Sequence, residues 1–241
     1  MKRFGKLAVL GAVLAASGSF AFADTIGSYG SGSAMGNINT PVIYQGFVAN
    51  NGPLSSFATN PFADITSGSL STAVNISAGA PWHAAQAGST WISYTAGTNP
   101  ASGPSVIAAQ GYYTFTTTFT EATSGLYTIS LGMLADDTTA IFFGSSSTPV
   151  VAAGPLGNDG ACSQFGINCE TITNESFSES LTGGVSNKLT FVVEQTGHAD
   201  FGLDFSGTVA PTPEPGSLML LGTGLLGAAG MFFRRRLTSK L

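Results

Sequence analysis

Asp136 and Asp137 stand side by side in the stretch ADDTTAIFFGSS, and adjacent carboxylates admit two kinds of chemistry. Hard cations such as Ca2+ take several oxygen ligands. The pair offers such oxygens, and Asp159, in Asn158-Asp159-Gly160, adds another if its loop folds back. The competing reading is a solvated turn whose aspartates accept hydrogen bonds from local backbone N–H groups. No D-x-D-x-D-G run supports a helix-loop-helix calcium site. Hydrolysis of a glycosidic bond would need two carboxyls flanking that bond. Neighbouring strand residues point to opposite faces, so Glu194, Asp200 or Asp204 would have to supply the second group. His83 and His198 are the only histidines, and no G-x-S-x-G nucleophile context surrounds any serine.

Two other groups of side chains carry potential chemistry. Trp82 and Trp91, with Tyr94, Tyr112 and Tyr113, could form a stacking platform for a sugar; core packing is the alternative, since large aromatics in strands usually pack. Trp82, after Pro81 in a Gly/Ala-rich segment, is the better candidate for exposure. Cys162 and Cys169 lie close together in a chain with export features, which predicts a local disulfide. A two-cysteine metal site is the weaker alternative, because no histidine lies nearby to complete it.

Strands must position these residues. In GYYTFTTTFT, Tyr113, Phe115, Thr117 and Phe119 alternate with threonines, the period-two pattern of a half-buried strand. GLYTISLGML repeats it with Tyr127, Ile129, Leu131 and Met133. The stretch through Ile141 and Phe143, then KLTFVVEQ and DFGLDFSG, complete the set, and 41–49 and 70–77 read as further strands. EATSG, and the five residues from Thr196, have hairpin length. No long amphipathic helix is legible in the body. The expectation is an all-β fold, an antiparallel β-sandwich or barrel.

The order of pieces from 91 to 207 resembles the jelly-roll domains of the galactose-binding-like kind. The resembling stretches are GYYTFTTTFT, SGLYTISLGMLADDTTAIFFG and NKLTFVVEQTGHADFGLDFSG. The resemblance implies an Asp-Asp turn entering a loop-bearing strand, and a later N-x-L-x-F strand pairing with a final glycine-containing one. The body is taken as 24–210, with 91–207 its best-defined part.

Both chain ends are set apart from that body. Lys2, Arg3 and Lys6, an apolar run over 7–16, and Ala21-Phe22-Ala23 form a signal peptide over 1–23 with cleavage before Asp24. At the other end, residues 217–233 carry no charge and span roughly 25 Å as a helix, near the lower limit for a membrane crossing. Arg234, Arg235 and Arg236 follow and favour the cytoplasmic side. Between these ends, over 24–212, one lysine faces twelve acidic residues, a formal charge of −11. That balance excludes a phosphate-backbone footprint, so nucleic acid is not a partner.

Pro213-Glu214-Pro215, the apolar run and the arginine cluster resemble the PEP-CTERM sorting signal of Gram-negative bacteria, here over 211–241. The resemblance implies recognition of Pro213, Glu214 and Pro215 by an exosortase, a membrane-embedded transpeptidase-like enzyme, with Arg234–236 as the stop. It also implies transient inner-membrane anchoring with the body in the periplasm, then release to the surface or matrix, and a link to exopolysaccharide and biofilm. The leading expectation is a non-enzymatic structural or carbohydrate-binding surface protein that requires no cofactor, though Ca2+ binding is compatible. A secreted polysaccharide hydrolase using Asp and Glu carboxylates is the alternative.

Overall fold

The computed structural model describes residues 23–31, 36–49, 70–98, 101, 106–154, 162, 166–196, 200–212, 222–224 and 226–227. Among these described residues, eleven strands form two antiparallel sheets. They are β1 (Asp24–Gly27), β2 (Ile43–Ala49), β3 (Ser71–Thr72), β4 (Val74–Asn75), β5 (Ile92–Ser93), β6 (Gly111–Thr120), β7 (Gly125–Asp136), β8 (Thr138–Phe143), β9 (Thr173–Leu181), β10 (Ser186–Gln195) and β11 (Gly202–Pro211). One sheet runs β4-β5-β11-β7-β9, with β1 also paired to β11; the other runs β3-β2-β6-β10-β8. The sandwich reading of the sequence holds.

The alternating residues meet between the sheets. Tyr113, Phe115 and Phe119 of β6, and Leu189, Phe191 and Val193 of β10, face Ile129, Leu131 and Met133 of β7 and Leu203, Phe205 and Val209 of β11 in one cluster. Phe191 and Phe205 stack across the gap with centroids 4.3 Å apart. Burial of such side chains contributes about 1.5–3 kcal/mol each, enough to fix which face of each strand turns inward.

Pairing departs from the hairpin expectation. β6 and β7 flank EATSG yet belong to opposite sheets, and so do β10 and β11 around residues 196–200. The N-x-L-x-F strand, β10, pairs with β6 and β8, whereas β11 pairs with β7 over ten residues. From β5 to β11 every connection crosses between the sheets. The segment 70–77 also divides: β3 joins one sheet and β4 the other, with buried Ala73 between them. β9 was not legible as a strand. Its residues, TNESFSESL, lie at a sheet edge and are mostly exposed, so no continuous apolar face marks them.

The signal segment up to Phe22, and Pro213, Glu214, Pro215 and Arg234–236, lie outside the described residues. Residues 222–224 and 226–227 are helical. Among the described residues no helix is long and apolar enough to cross a membrane.

Candidate functional site

β7 ends at Asp136 and β8 begins at Thr138 in the other sheet, so Asp137 is the single residue at which the chain changes sheets. The peptide bond between Asp136 and Asp137 is cis. Neither aspartate is solvated: Asp136 is 7% exposed and Asp137 1%. The reading of a solvated turn is therefore corrected. β10 and the start of β11 close the corner from the side. The Asp137 N–H donates to the Glu194 carbonyl at 2.9 Å. Asp137 Oδ2 accepts from the Thr196 N–H at 2.7 Å and from its hydroxyl at 2.6 Å. The Gln195 side-chain amide donates to the Asp200 carbonyl at 2.7 Å.

Four acidic residues thus lie at this end of the sandwich: Asp136, Asp137, Glu194 and Asp200. Their second oxygens are unequal. Asp136 Oδ2 accepts the Trp82 indole N–H at 2.8 Å. Asp137 Oδ1, Glu194 Oε1 and Asp200 Oδ1 are buried with no hydrogen-bond partner among the described residues. A buried carboxylate oxygen without a partner carries a penalty of several kcal/mol unless a proton or a cation meets it. The body's one lysine cannot serve, because Lys188 sits opposite Thr118 toward the other end of β10.

The electrostatics follow from that crowding. Burial raises the Asp136 carboxyl well above the usual carboxylate range; the Asp137 charge adds to this, the Trp82 N–H opposes it, and Asp200 adds further. Glu194 is pushed up to about 7, through burial first, with a Tyr112 hydrogen bond opposing and Asp137 adding to the rise. Burial also raises Asp200. An acid whose folded pKa lies above its unfolded value binds more protons folded than unfolded between the two. Without a cation, stability is therefore expected to fall as pH rises from about 4.5 to 7, the Glu194 window. Urea unfolding of chelated protein across that range should show the decline, up to about 3 kcal/mol for this one group.

Sequence reasoning named Glu194, Asp200 and Asp204 as partners for the pair, and two of the three are present. Asp204 is elsewhere engaged: its carboxylate accepts Ser28 Oγ at 2.8 Å and the Gln86 N–H at 3.0 Å. Thr196 and Trp82 had no signal marking them as supports of the corner. Asp159 and His198 lie outside the described residues.

The tryptophans pack rather than present a platform. Trp82 and Trp91 are 6% and 0% exposed and stack with centroids 4.2 Å apart. The Trp91 indole N–H donates to the His83 carbonyl at 3.0 Å. Gly202 makes room for them, since a Cβ there would stand 2.8 Å from Trp82 Cη2 and 3.0 Å from Trp91 Cε3. Cys162 and Cys169 join this cluster with Ile76 and Leu134. The two cysteines form the expected disulfide, with Cα atoms 5.3 Å apart. Asp136 lies within 4.8 Å of both sulfurs, but bonded sulfurs supply no thiolate, so the two-cysteine metal alternative falls away.

Carboxylate oxygens are the type of ligand that Ca2+ takes. Among the described residues, however, the one converging group of three or more potential ligands is Asp136 with the two bonded cysteines, so Asp137, Glu194 and Asp200 do not meet as a formed cation site.

The sequence matches no curated protein. Among solved structures, the chain is similar to a β-glucosidase from Kluyveromyces marxianus in complex with glucose, at 10% identity over 76% of this chain and 17% of that one, TM-score 0.35. It therefore spans under a fifth of that enzyme's length. It is also similar to a CBM35 from Paenibacillus barcinonensis, at 16% identity over 58% of this chain and 89% of that one, TM-score 0.31. A family 35 carbohydrate binding module from Clostridium thermocellum matches at 11% identity over 78% and 98%, TM-score 0.31. The tail gives a different kind of match: residues 211–236 fit the model of the PEP-CTERM protein-sorting motif, so the chain carries that motif from the final residue of β11 onward.

Proposed function

We propose that this is an exported, non-enzymatic surface or matrix protein whose sandwich binds a divalent cation at the Asp136–Asp137 corner and engages exopolysaccharide beside it. The observation that supports the cation is that Asp137, Glu194 and Asp200 each bury a carboxylate oxygen without a hydrogen-bond partner; binding would have to draw these oxygens together, since they do not form a converging group. Bound Ca2+ would neutralise those charges within the fold, and the sugar would be met on the neighbouring surface. One oxygen of Asp137 is tied to Thr196 and one of Asp136 to Trp82. The polysaccharide link rests on the sorting motif, through the exosortase-processed proteins that it resembles.

Hydrolysis is the lesser reading. Glu194 and Asp137 are 2% and 1% exposed, and a general acid must touch the glycosidic oxygen. Binding of the purified mature protein to the host's own exopolysaccharide, in Ca2+ and in chelator, tests the proposal. Retention that Ca2+ supports and chelator abolishes is expected; release of reducing sugar, lost in Asp137→Asn, would establish the hydrolase instead.

Sorting has its own expected result. Glu214→Ala should leave an uncleaved, membrane-retained form in a host with the processing enzyme, read as a heavier band in the membrane fraction. Normal cleavage of that variant would count against exosortase recognition.

A further inference from the structure

The chain holds six tyrosines, and burial sorts them. Tyr29, Tyr112, Tyr113 and Tyr127 are at most 4% exposed, whereas Tyr44 and Tyr94 are only half-buried. Those two face each other. Tyr44 lies on β2, and Tyr94 directly follows Ser93, the last residue of β5, so the pair bridges elements of opposite sheets. Their ring centroids are 5.7 Å apart with 37° between the planes, within the range of aromatic pairs in contact. Tyr113 packs against both, 5.0 Å from Tyr94 and 6.4 Å from Tyr44, and its hydroxyl donates to the Ala109 carbonyl at 3.0 Å.

β2 and β5 are each the next-to-last strand of their sheet, bordered only by the two-residue strands β3 and β4. Among the described residues the sheets are joined by core packing and by the chain crossings, and the Cys162–Cys169 disulfide, seven residues apart, ties only a local loop. Tyr44 and Tyr94 rest against the core cluster that holds Tyr113, Phe115 and Phe201, which fixes where their rings sit. Burial first, and then the neighbouring Tyr94, push the Tyr44 phenol up to about 12. Burial raises Tyr94 as well. Both are neutral phenols at ordinary pH, so one-electron oxidation of either releases a proton.

We propose that Tyr44 and Tyr94 form an oxidative cross-linking site, coupling to dityrosine under hydrogen peroxide and a haem-type one-electron catalyst and so bonding one sheet to the other. The catalyst takes one electron and one proton from each phenol, and the peroxide accepts them to become two waters. The two radicals join through a carbon ortho to each hydroxyl. The hydrogen on each joined carbon then moves to the phenoxyl oxygen, which restores both rings and both hydroxyls. Two tyrosines and one peroxide thus give one dityrosine and two waters. Holding the rings in contact makes the coupling intramolecular, which raises the effective concentration of each partner for the other. The four buried tyrosines are shielded from the oxidant. The new bond closes a loop of about fifty residues and stabilises the body by restricting the unfolded chain.

The test treats the full-length chain, in detergent and at low concentration, with hydrogen peroxide and a haem-peptide catalyst. Blue dityrosine fluorescence is expected, with an intact monomer lighter by two hydrogens and a proteolytic fragment that joins the peptides of residues 44 and 94. Tyr44→Phe and Tyr94→Phe should each cut the fluorescence by about tenfold or more, while Tyr112→Phe leaves it unchanged. Phenylalanine keeps each ring, and circular dichroism checks the fold of every variant. The cross-linked monomer should unfold about 5–15 °C above the untreated chain; an unchanged midpoint overturns the bond between sheets. Dityrosine that persists in Tyr44→Phe, as a Tyr94–Tyr113 bond would, overturns the pairing. Dityrosine found only between chains, as a dimer on a denaturing gel, or no dityrosine at all, overturns the proposal outright.

Discussion

Asp137→Asn is expected to abolish stabilisation by Ca2+ while leaving the sandwich folded. Wild-type protein at a Ca2+ concentration a hundred times Kd should gain about 2.7 kcal/mol, a rise in Tm of about 5–10 °C for a domain of this size. The variant keeps an oxygen to accept the Thr196 N–H and hydroxyl, so its fold retains that tie. It loses one charge and the free oxygen Oδ1 that the cation would meet. Thermal unfolding by circular dichroism, with Ca2+ and with chelator, measures both. A wild-type Tm indifferent to Ca2+ and Mg2+ would remove the cation from the proposed function. Asp137→Ala is the harsher change, because it also removes the oxygen that accepts both the Thr196 N–H and hydroxyl, leaving the N–H only Gln195 Oε1, a cost of about 1–3 kcal/mol. Asp204→Asn serves as the control. Asp204 is fully buried, but its oxygens are met by Ser28 and Gln86, so the Ca2+ response should persist there.

Phe205→Ala should cost more stability than any change at the corner, about 3–5 kcal/mol. Phe205 is fully buried at the centre of β11 and stacks on Phe191 of the opposite sheet at 17° between ring planes. Truncation removes the ring contact that joins the sheets and leaves a cavity that two hydrogen-bonded sheets cannot close. Urea unfolding reads the loss as a shift in midpoint at constant slope. Because a domain holds only about 5–15 kcal/mol in total, the alanine variant can unfold outright. Phe205→Leu, expected to lose less, then gives the measurable value. Phe143→Ala is the contrast: its ring meets Phe177 edge-on at 6.2 Å near the sheet margins, and a loss below half that of Phe205→Ala is expected. Equal losses would mean that the two sheets are not held together by the central stack.

The aspartate pair shows how much of the site was legible. Two adjacent carboxylates and their acidic candidates were visible in the sequence, since residue type alone selects hard-cation chemistry. Their burial was not. Asp136 and Asp137 look like any polar turn until Trp82, more than fifty residues earlier, and Thr196, nearly sixty later, close over them. The tryptophans were misjudged for the same reason. A large aromatic after a proline can be exposed or buried, and only the disulfide, Gly202 and the facing indole decide.

For the fold as a whole, the sequence by itself determined the long strands β6, β7, β8, β10 and β11 and which of their side chains face inward, whereas β1, β5 and β9 left no such signal. Period-two alternation in β6, β7 and β11 follows from the pleat and needs no partner to be recognised. It also determined the sorting tail, whose short motif, apolar run and arginines are local features. Pairing was decided only by the tertiary structure. Five residues reach about 17 Å when extended, enough for the roughly 4.8 Å between paired strands or the roughly 10 Å between stacked sheets. Loop length therefore cannot separate a hairpin from a crossing. Burial of both apolar faces against each other selects the crossing, and the crossing between β7 and β8 is what buries Asp136 and Asp137.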